Sequence, residues 1–148
     1  MAAMQDDPEV MWDYERLFSR EESDAKIARY DDAWRRVGYG RFPVLDRRDG
    51  RFLGYCGIMP IPESHPMSPG VEIGWRFTRA AWGNGYATES AHACLRHGFE
   101  QCGLTEVWSY TRTDNMRSEN VMQRLNLTFL PDRFWDHAGR RFIVYVAR

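Results

Sequence analysis

The chain has 148 residues, 43% of them hydrophobic and 28% charged, with a formal net charge of -1. This is one domain's length with a sizeable core; the composition excludes a disordered chain, and the charge excludes a global basic field for nucleic acid. No apolar run approaches the ~20 residues of a membrane span, and the opening MAAMQDDPEV is read as lacking a signal-peptide pattern.

Asp7-Pro8-Glu9 reads as an N-cap, a proline at the first helical position and a first-turn acid, opening a helix from Met11 to Phe18. Ser19-Arg20-Glu21-Glu22 has capping-box spacing. After it Ile27, Tyr30, Trp34 and Val37 recur at helical intervals, and Gly38 and Gly40 end that second helix. Phe42 to Leu45 and Phe52 to Ile58 are expected strands, joined by a hairpin turn at Arg47-Arg48-Asp49-Gly50 in which Asp-Gly supplies positive φ. Pro60, Pro62, Pro66 and Pro69 predict a loop over 59–70.

Val71, Ile73, Trp75 and Phe77 alternate with Glu72, Gly74, Arg76 and Thr78, which predicts a strand with one apolar face. From Tyr86 to Gln101 the pattern is helical, with Gly103 as its C′ residue. Val107 to Thr111 follows as a strand, and Asn115 to Leu125 as a shorter helix with Asn126 in a left-handed cap. Thr128 to Leu130 and Phe142 to Ala147 close the chain as strands. Cys56, Cys94 and Cys102 form no C-x-x-C pair and read as reduced thiols of a cytosolic protein. His65, His92, His97 and His137 lack zinc-site spacing, so no metal is expected. There is no repeat or linker, and residues 1–148 read as one α+β domain.

Between the strand and the helix lies Trp82-Gly83-Asn84-Gly85-Tyr86-Ala87-Thr88. A chain that passes two glycines straight into a helix exposes amide N–H groups at a helix N-terminus, which suits an anion. The P-loop is excluded, because Tyr86 stands where Lys must follow the last glycine. The dinucleotide fingerprint fits poorly: Thr88 holds the third small position, and Glu106 precedes its strand instead of ending it. A tight strand–helix turn that needs two glycines is the plainer alternative.

Three segments together resemble the GNAT acetyltransferases. Val71-Glu72-Ile73-Gly74-Trp75 is similar to the family's central strand, and Trp82 to Glu89 to its coenzyme A loop. Thr113-Asp114-Asn115-Met116-Arg117-Ser118-Glu119-Asn120-Val121-Met122 is similar to its next helix. The similarity extends over roughly residues 7 to 147 and is greatest to RimJ/RimL-like enzymes, which acetylate ribosomal-protein N-termini and assorted amines. It implies a GNAT fold, a mixed and mostly antiparallel sheet flanked by helices, and acetyl transfer from acetyl-CoA to a primary amine by direct attack. The acceptor is then a protein N-terminus or a small-molecule amine, with no nucleic acid or membrane as partner. Two features depart from the family. Ala80 stands where Gln or Arg is usual, with Arg79 beside it. The chain also starts inside or after the family's first helix, so the first strand is expected to be missing or upstream. Phe42 to Leu45 would then be an edge that a homodimer could cover. A non-catalytic acyl-CoA-binding or interaction domain is the alternative.

The resemblance implies roles residue by residue. Amides of Gly83, Asn84, Gly85, Tyr86 and Ala87, with Thr88 beside them, meet the pyrophosphate. Backbone groups of Trp75, Arg76, Phe77 and Thr78 meet pantetheine, and an amide near Phe77 the thioester oxygen. Glu72 is the candidate base or a buried structural carboxylate. Asn115 and Ser118 contact coenzyme and thiolate, or only cap their helix. Tyr145 is a candidate acid or core packing. Arg79, Arg112, Arg117 and Arg124 are candidate phosphate cations, and Trp82 and Tyr86 brace the loop. Loop 59–70 and segment 131–141 would flank the acceptor, with aromatics such as Phe134, Trp135 and His137. Glu63, Asp132 or Asp136 would attract a cationic amine.

Overall fold

Six strands form one sheet in the order β1-β2-β3-β4-β6-β5, from Arg41–Leu45 (β1), Phe52–Pro60 (β2), Val71–Phe77 (β3), Val107–Arg112 (β4), Thr128–His137 (β5) and Arg140–Ala147 (β6). The computed structural model describes residues 1–14 and 16–148. Helices α1 (Ala2–Gln5), α2 (Arg20–Val37), α3 (Tyr86–Glu100) and α4 (Met116–Arg124) flank the sheet. This is the GNAT fold expected above.

The expected helix over Met11–Phe18 does not form among its described residues, which make turns. Asp7 spends its carboxylate on the Glu9 amide at 3.0 Å, an Asx-type turn in place of a helix start. Val10 and Met11 are pinned beside Met4 and Tyr55. Arg76 takes the Val10 carbonyl at 2.5 Å and the Asp13 carboxylate at 2.7 Å. These long-range contacts outweigh a weak local propensity.

In α2 the capping box forms: Ser19 Oγ accepts from the Glu22 amide at 3.2 Å, and the Glu22 carboxylate accepts from the Ser19 amide at 2.8 Å. The buried stripe is shifted, however. Ile27, Trp34 and Val37 are exposed, while Ser23, Lys26, Tyr30 and Ala33 are buried. The sheet meets this helix on its tyrosine side, where Tyr30 and Ala33 pack with Met59. Lys26 tolerates burial because its ammonium lies 4.6 to 5.8 Å from the ring centroids of Phe18, Tyr14 and Tyr55.

In the β1–β2 hairpin Gly50 alone takes positive φ, at 73°. β2 runs to Pro60 because Met59 and Pro60 still pair with Glu72 and Val71. β1 is a sheet edge, and no strand precedes it among the described residues. Segment 131–141, expected as an open loop, is largely the β5–β6 hairpin, which turns at Ala138 (φ 50°) and Gly139 (φ 71°). β5 is exposed along nearly its whole length, which hides the alternation that marks a half-buried strand. The main core joins Cys56, Ile58 and Ile73 of the sheet to Ala91 and Leu95 of α3 and Met122 of α4. Every neighbouring pair of strands is antiparallel except β3 and β4.

Candidate active site

β3 and β4 are parallel through a single register pair, Glu72 with Trp108. Just past it Ser109 Oγ donates to the Ile73 carbonyl at 3.1 Å. Beyond that link Trp75, Arg76 and Phe77 pair on their β2 side, with Cys56, Tyr55 and Gly54, and are open on the other. The fork leads into a cleft of about 290 Å³ lined by Trp75, Arg76 and Phe77 from β3 and by Trp82, Gly83, Gly85, Tyr86, Ala87 and Thr88 from the glycine loop. Asn115, Ser118, Arg117 and Arg124 of the α4 segment form its opposite wall.

The loop is built to present amides. Gly83 and Gly85 have φ of 76° and 81°, which glycine adopts at little cost. A Cβ at either would meet nothing within 4 Å, so the backbone stands open. Among the described residues no protein acceptor meets the amides of residues 83 to 88, and Gly85 caps α3 without a side-chain hydrogen bond. Unpaired donors at the N-terminus of a 15-residue helix suit an anionic group such as a diphosphate. Trp82 braces the turn: its Nε1 donates to the Phe77 carbonyl at 2.9 Å, and the Arg117 guanidinium covers its ring at 4.0 Å. Asn84 Nδ2 donates to the Trp82 carbonyl at 2.9 Å.

A second cleft of about 920 Å³ lies on the far side of the fork and shares Asp13, Trp75, Arg76, Asn115 and Ser118 with the first. Glu72 lines it, buried and bonded to the Arg41 guanidinium. Burial pushes the Glu72 carboxyl above the usual carboxylate range, and Arg41 offsets that only in part. Asn115 and Ser118 cap α4 and face both clefts: Asn115 Oδ1 accepts from the Ser118 amide, and Asn115 Nδ2 donates to Ser118 Oγ, each at 3.2 Å. Capping and cleft lining are therefore the same geometry.

Other expected residues stand elsewhere. Tyr145 is buried in the core and lines neither cleft; its hydroxyl donates to Glu119 at 2.7 Å. Arg79 turns away to Asp7 at 2.8 Å and Glu9 at 3.1 Å, and Thr78 gives its amide to the Leu53 carbonyl. Arg112 faces the second cleft, not the first, and pairs with Asp114. Glu63, Asp132 and Asp136 are exposed and line neither cleft, and Asp136 holds Arg141 at 3.0 Å. Trp135 stacks on Phe142 at 4.9 Å, and His65 on Tyr110 at 4.9 Å; His65, Tyr110 and Phe142 line the second cleft, and Phe134, Trp135 and His137 do not. Asp13, Lys26, Arg41 and Tyr55 also line the second cleft, and no local motif in the sequence marks them. All three cysteines are free. Among the described residues no cluster of three His, Cys, Asp or Glu could hold a metal, and no helix is long and apolar enough to cross a membrane.

The family model described as the acetyltransferase (GNAT) domain matches residues 1–128. The chain belongs to the GNAT acetyltransferase family. GNAT acetyltransferases use acetyl-CoA, and the unpaired loop amides fit its diphosphate. This GNAT domain is 31% identical over 123 residues to the Bacillus subtilis protein YkkB, covering 83% of this chain and 70% of that one. It is 38% identical over 90 residues to the FsC-acetyl coenzyme A-N(2)-transacetylase of Aspergillus fumigatus, covering 58% of this chain and only 38% of that longer protein. Among solved structures, the fold matches the spermidine N-acetyltransferase of Vibrio cholerae in complex with CoA and spermine. The TM-score is 0.74 at 14% identity, over 99% of this chain and 86% of that one.

Proposed function

We propose that this GNAT domain transfers the acetyl group of acetyl-CoA to a primary amine, a protein N-terminus or a small-molecule amine, in the manner of RimJ/RimL-like enzymes. Both substrates are bound at once. The observation that carries this reading is the junction of two clefts at Trp75, Asn115 and Ser118. One cleft ends on unpaired amides, and the other contains a buried carboxylate with a raised pKa.

The amides of residues 83 to 87 and the α3 dipole hold the diphosphate. The open side of Trp75, Arg76 and Phe77 pairs with pantetheine as a further strand would, and an amide near Phe77 steadies the oxygen on which charge develops. Acetyl-CoA supplies the activated thioester. The amine nitrogen forms its bond to the acetyl carbon as the carbon–sulfur bond breaks. Glu72 takes the proton of the ammonium directly or through water. The α4 N-terminus and the Ser118 hydroxyl offset the charge of the departing thiolate. Reduced cysteines support a cytoplasmic setting. The β1 edge, with Phe42 and Leu45 exposed, supports pairing with a second copy, which light scattering checks.

Thermal unfolding with acetyl-CoA, NAD or ATP, followed by thiol release over an amine panel, tests the reading. A rise in stability with acetyl-CoA alone and amine-dependent thiol release are expected. Stabilisation without release over every amine would identify a non-catalytic acyl-CoA-binding domain. No stabilisation would end the reading.

A further inference from the structure

We infer that the acceptor of this domain carries an anionic group, a carboxylate on the amine substrate, and that polyamines are disfavoured. This rests on the acetyl-transfer reading and specifies its substrate class. Among the described residues the second cleft is lined by five cations, Lys26, Arg29, Arg41, Arg76 and Arg112, and three acids, Asp13, Glu22 and Glu72. Each acid is already engaged: Asp13 by Arg76, Glu72 by Arg41, and Glu22 by Arg16. No acid in the cleft remains for a second ammonium.

Some of the aromatic faces are taken as well. Lys26 sits over Tyr14, Phe18 and Tyr55, Arg76 over Tyr14 at 4.9 Å, and Arg112 over Trp12 at 4.5 Å. A cationic substrate finds the protein's own cations on the Tyr14, Phe18 and Tyr55 faces.

Arg112 marks where the anion sits. It is 8% exposed, its Nη2 bonds Asp114, and its Nε and Nη1 are buried without any acceptor. Two unmet donors on a buried guanidinium are costly, and a carboxylate oxygen beside either one would relieve it with a charge-assisted bond. Trp12, which covers the guanidinium, is itself 39% exposed. The adjoining recess of about 430 Å³ repeats the charge bias, with Arg16, Arg112 and Arg140 around a single acid, Asp13.

The test compares phenylalanine with phenylalaninamide, β-alanine with β-alaninamide, and spermidine, each as acceptor at fixed acetyl-CoA. The expected result is a kcat/KM about tenfold higher for each carboxylate than for its amide, with spermidine lowest. Arg112→Gln should abolish the preference while stabilisation by acetyl-CoA persists. Arg29→Gln, a change on an exposed helix surface that leaves folding intact, should reduce the preference and its sensitivity to salt. Equal or better transfer to amides or spermidine, with acetyl-CoA still stabilising the protein, overturns the anionic acceptor and leaves acetyl transfer standing. If none of these amines is acetylated, calorimetry of the same compounds on CoA-saturated protein decides: tighter carboxylates uphold the inference and equal affinities overturn it. Loss of acetyl-CoA stabilisation in the unmodified protein overturns both.

Discussion

Arg41 on the edge strand reaches the Glu72 carboxylate over the bare Cα of Gly74. A Cβ at position 74 would lie 2.6 Å from Arg41 Nη2 and 3.2 Å from Glu72 Oε2. A glycine on the central strand thus makes room for an ion pair between the first and third strands. That pair holds the proposed base at the wall of the second cleft.

Glu72→Gln should lower acetyl transfer about a hundredfold or more, with stabilisation by acetyl-CoA unchanged. In the unmodified protein the acid limb of kcat/KM should lie above the ordinary carboxylate pKa of about 4.3, because burial raises the Glu72 carboxyl. A base acts when unprotonated, so activity climbs as pH rises through that raised value. The same shift has the opposite sense for stability: the folded carboxyl holds its proton more tightly, so this group's contribution is larger at low pH and declines as pH rises. A pH–rate profile unaltered by the substitution would remove Glu72 from the mechanism.

Gly74→Ala should displace the Arg41 guanidinium and cost about 1–3 kcal/mol of stability by overpacking. Transfer should fall by up to about a hundredfold through misplacement of Glu72, with acetyl-CoA affinity retained. Urea unfolding and steady-state kinetics on one preparation separate the two effects.

Gly85→Ala tests the loop. Alanine at φ 81° costs about 1–2 kcal/mol, and its methyl enters the open space in front of the amides. The thermal shift produced by acetyl-CoA should shrink at every concentration, with little change in transfer at saturating coenzyme.

Ser118→Ala and Tyr145→Phe should separate cleftward from core-facing hydroxyls. The serine faces both clefts, so kcat should fall about a hundredfold if its proton reaches the thiolate. The tyrosine hydroxyl is spent on Glu119, so its loss should cost about 1 kcal/mol of stability and leave kcat near that of the unmodified protein.

The site was legible where chemistry demands a local backbone state. Gly83 and Gly85 announce a tight turn into a helix, Asn115 announces a cap, and the alternation from Val71 to Phe77 announces a strand with one apolar face; all three elements stand where the pattern put them. The misreadings share one cause. Asp7-Pro8-Glu9 has the residues of a helix start, yet Arg76, distant in sequence, captures Val10 and Asp13. The exposed stripe of Ile27, Trp34 and Val37 has helical spacing, yet the sheet meets the Tyr30 side.

Taken by itself, then, the sequence determined the order of most strands and helices and the glycine loop, because turns, caps and strand alternation are set by neighbours a few residues apart; the fold's family came from the resemblance of three segments. Only the tertiary structure decided which side chains share the second cleft, the proposed acceptor site. Lys26, Arg41, Glu72 and Arg112 come from four separate elements, and the charge of a pocket depends on which cations find partners when those elements pack. Charge pairing across a fold leaves no periodicity in the chain that a reader of residues could follow.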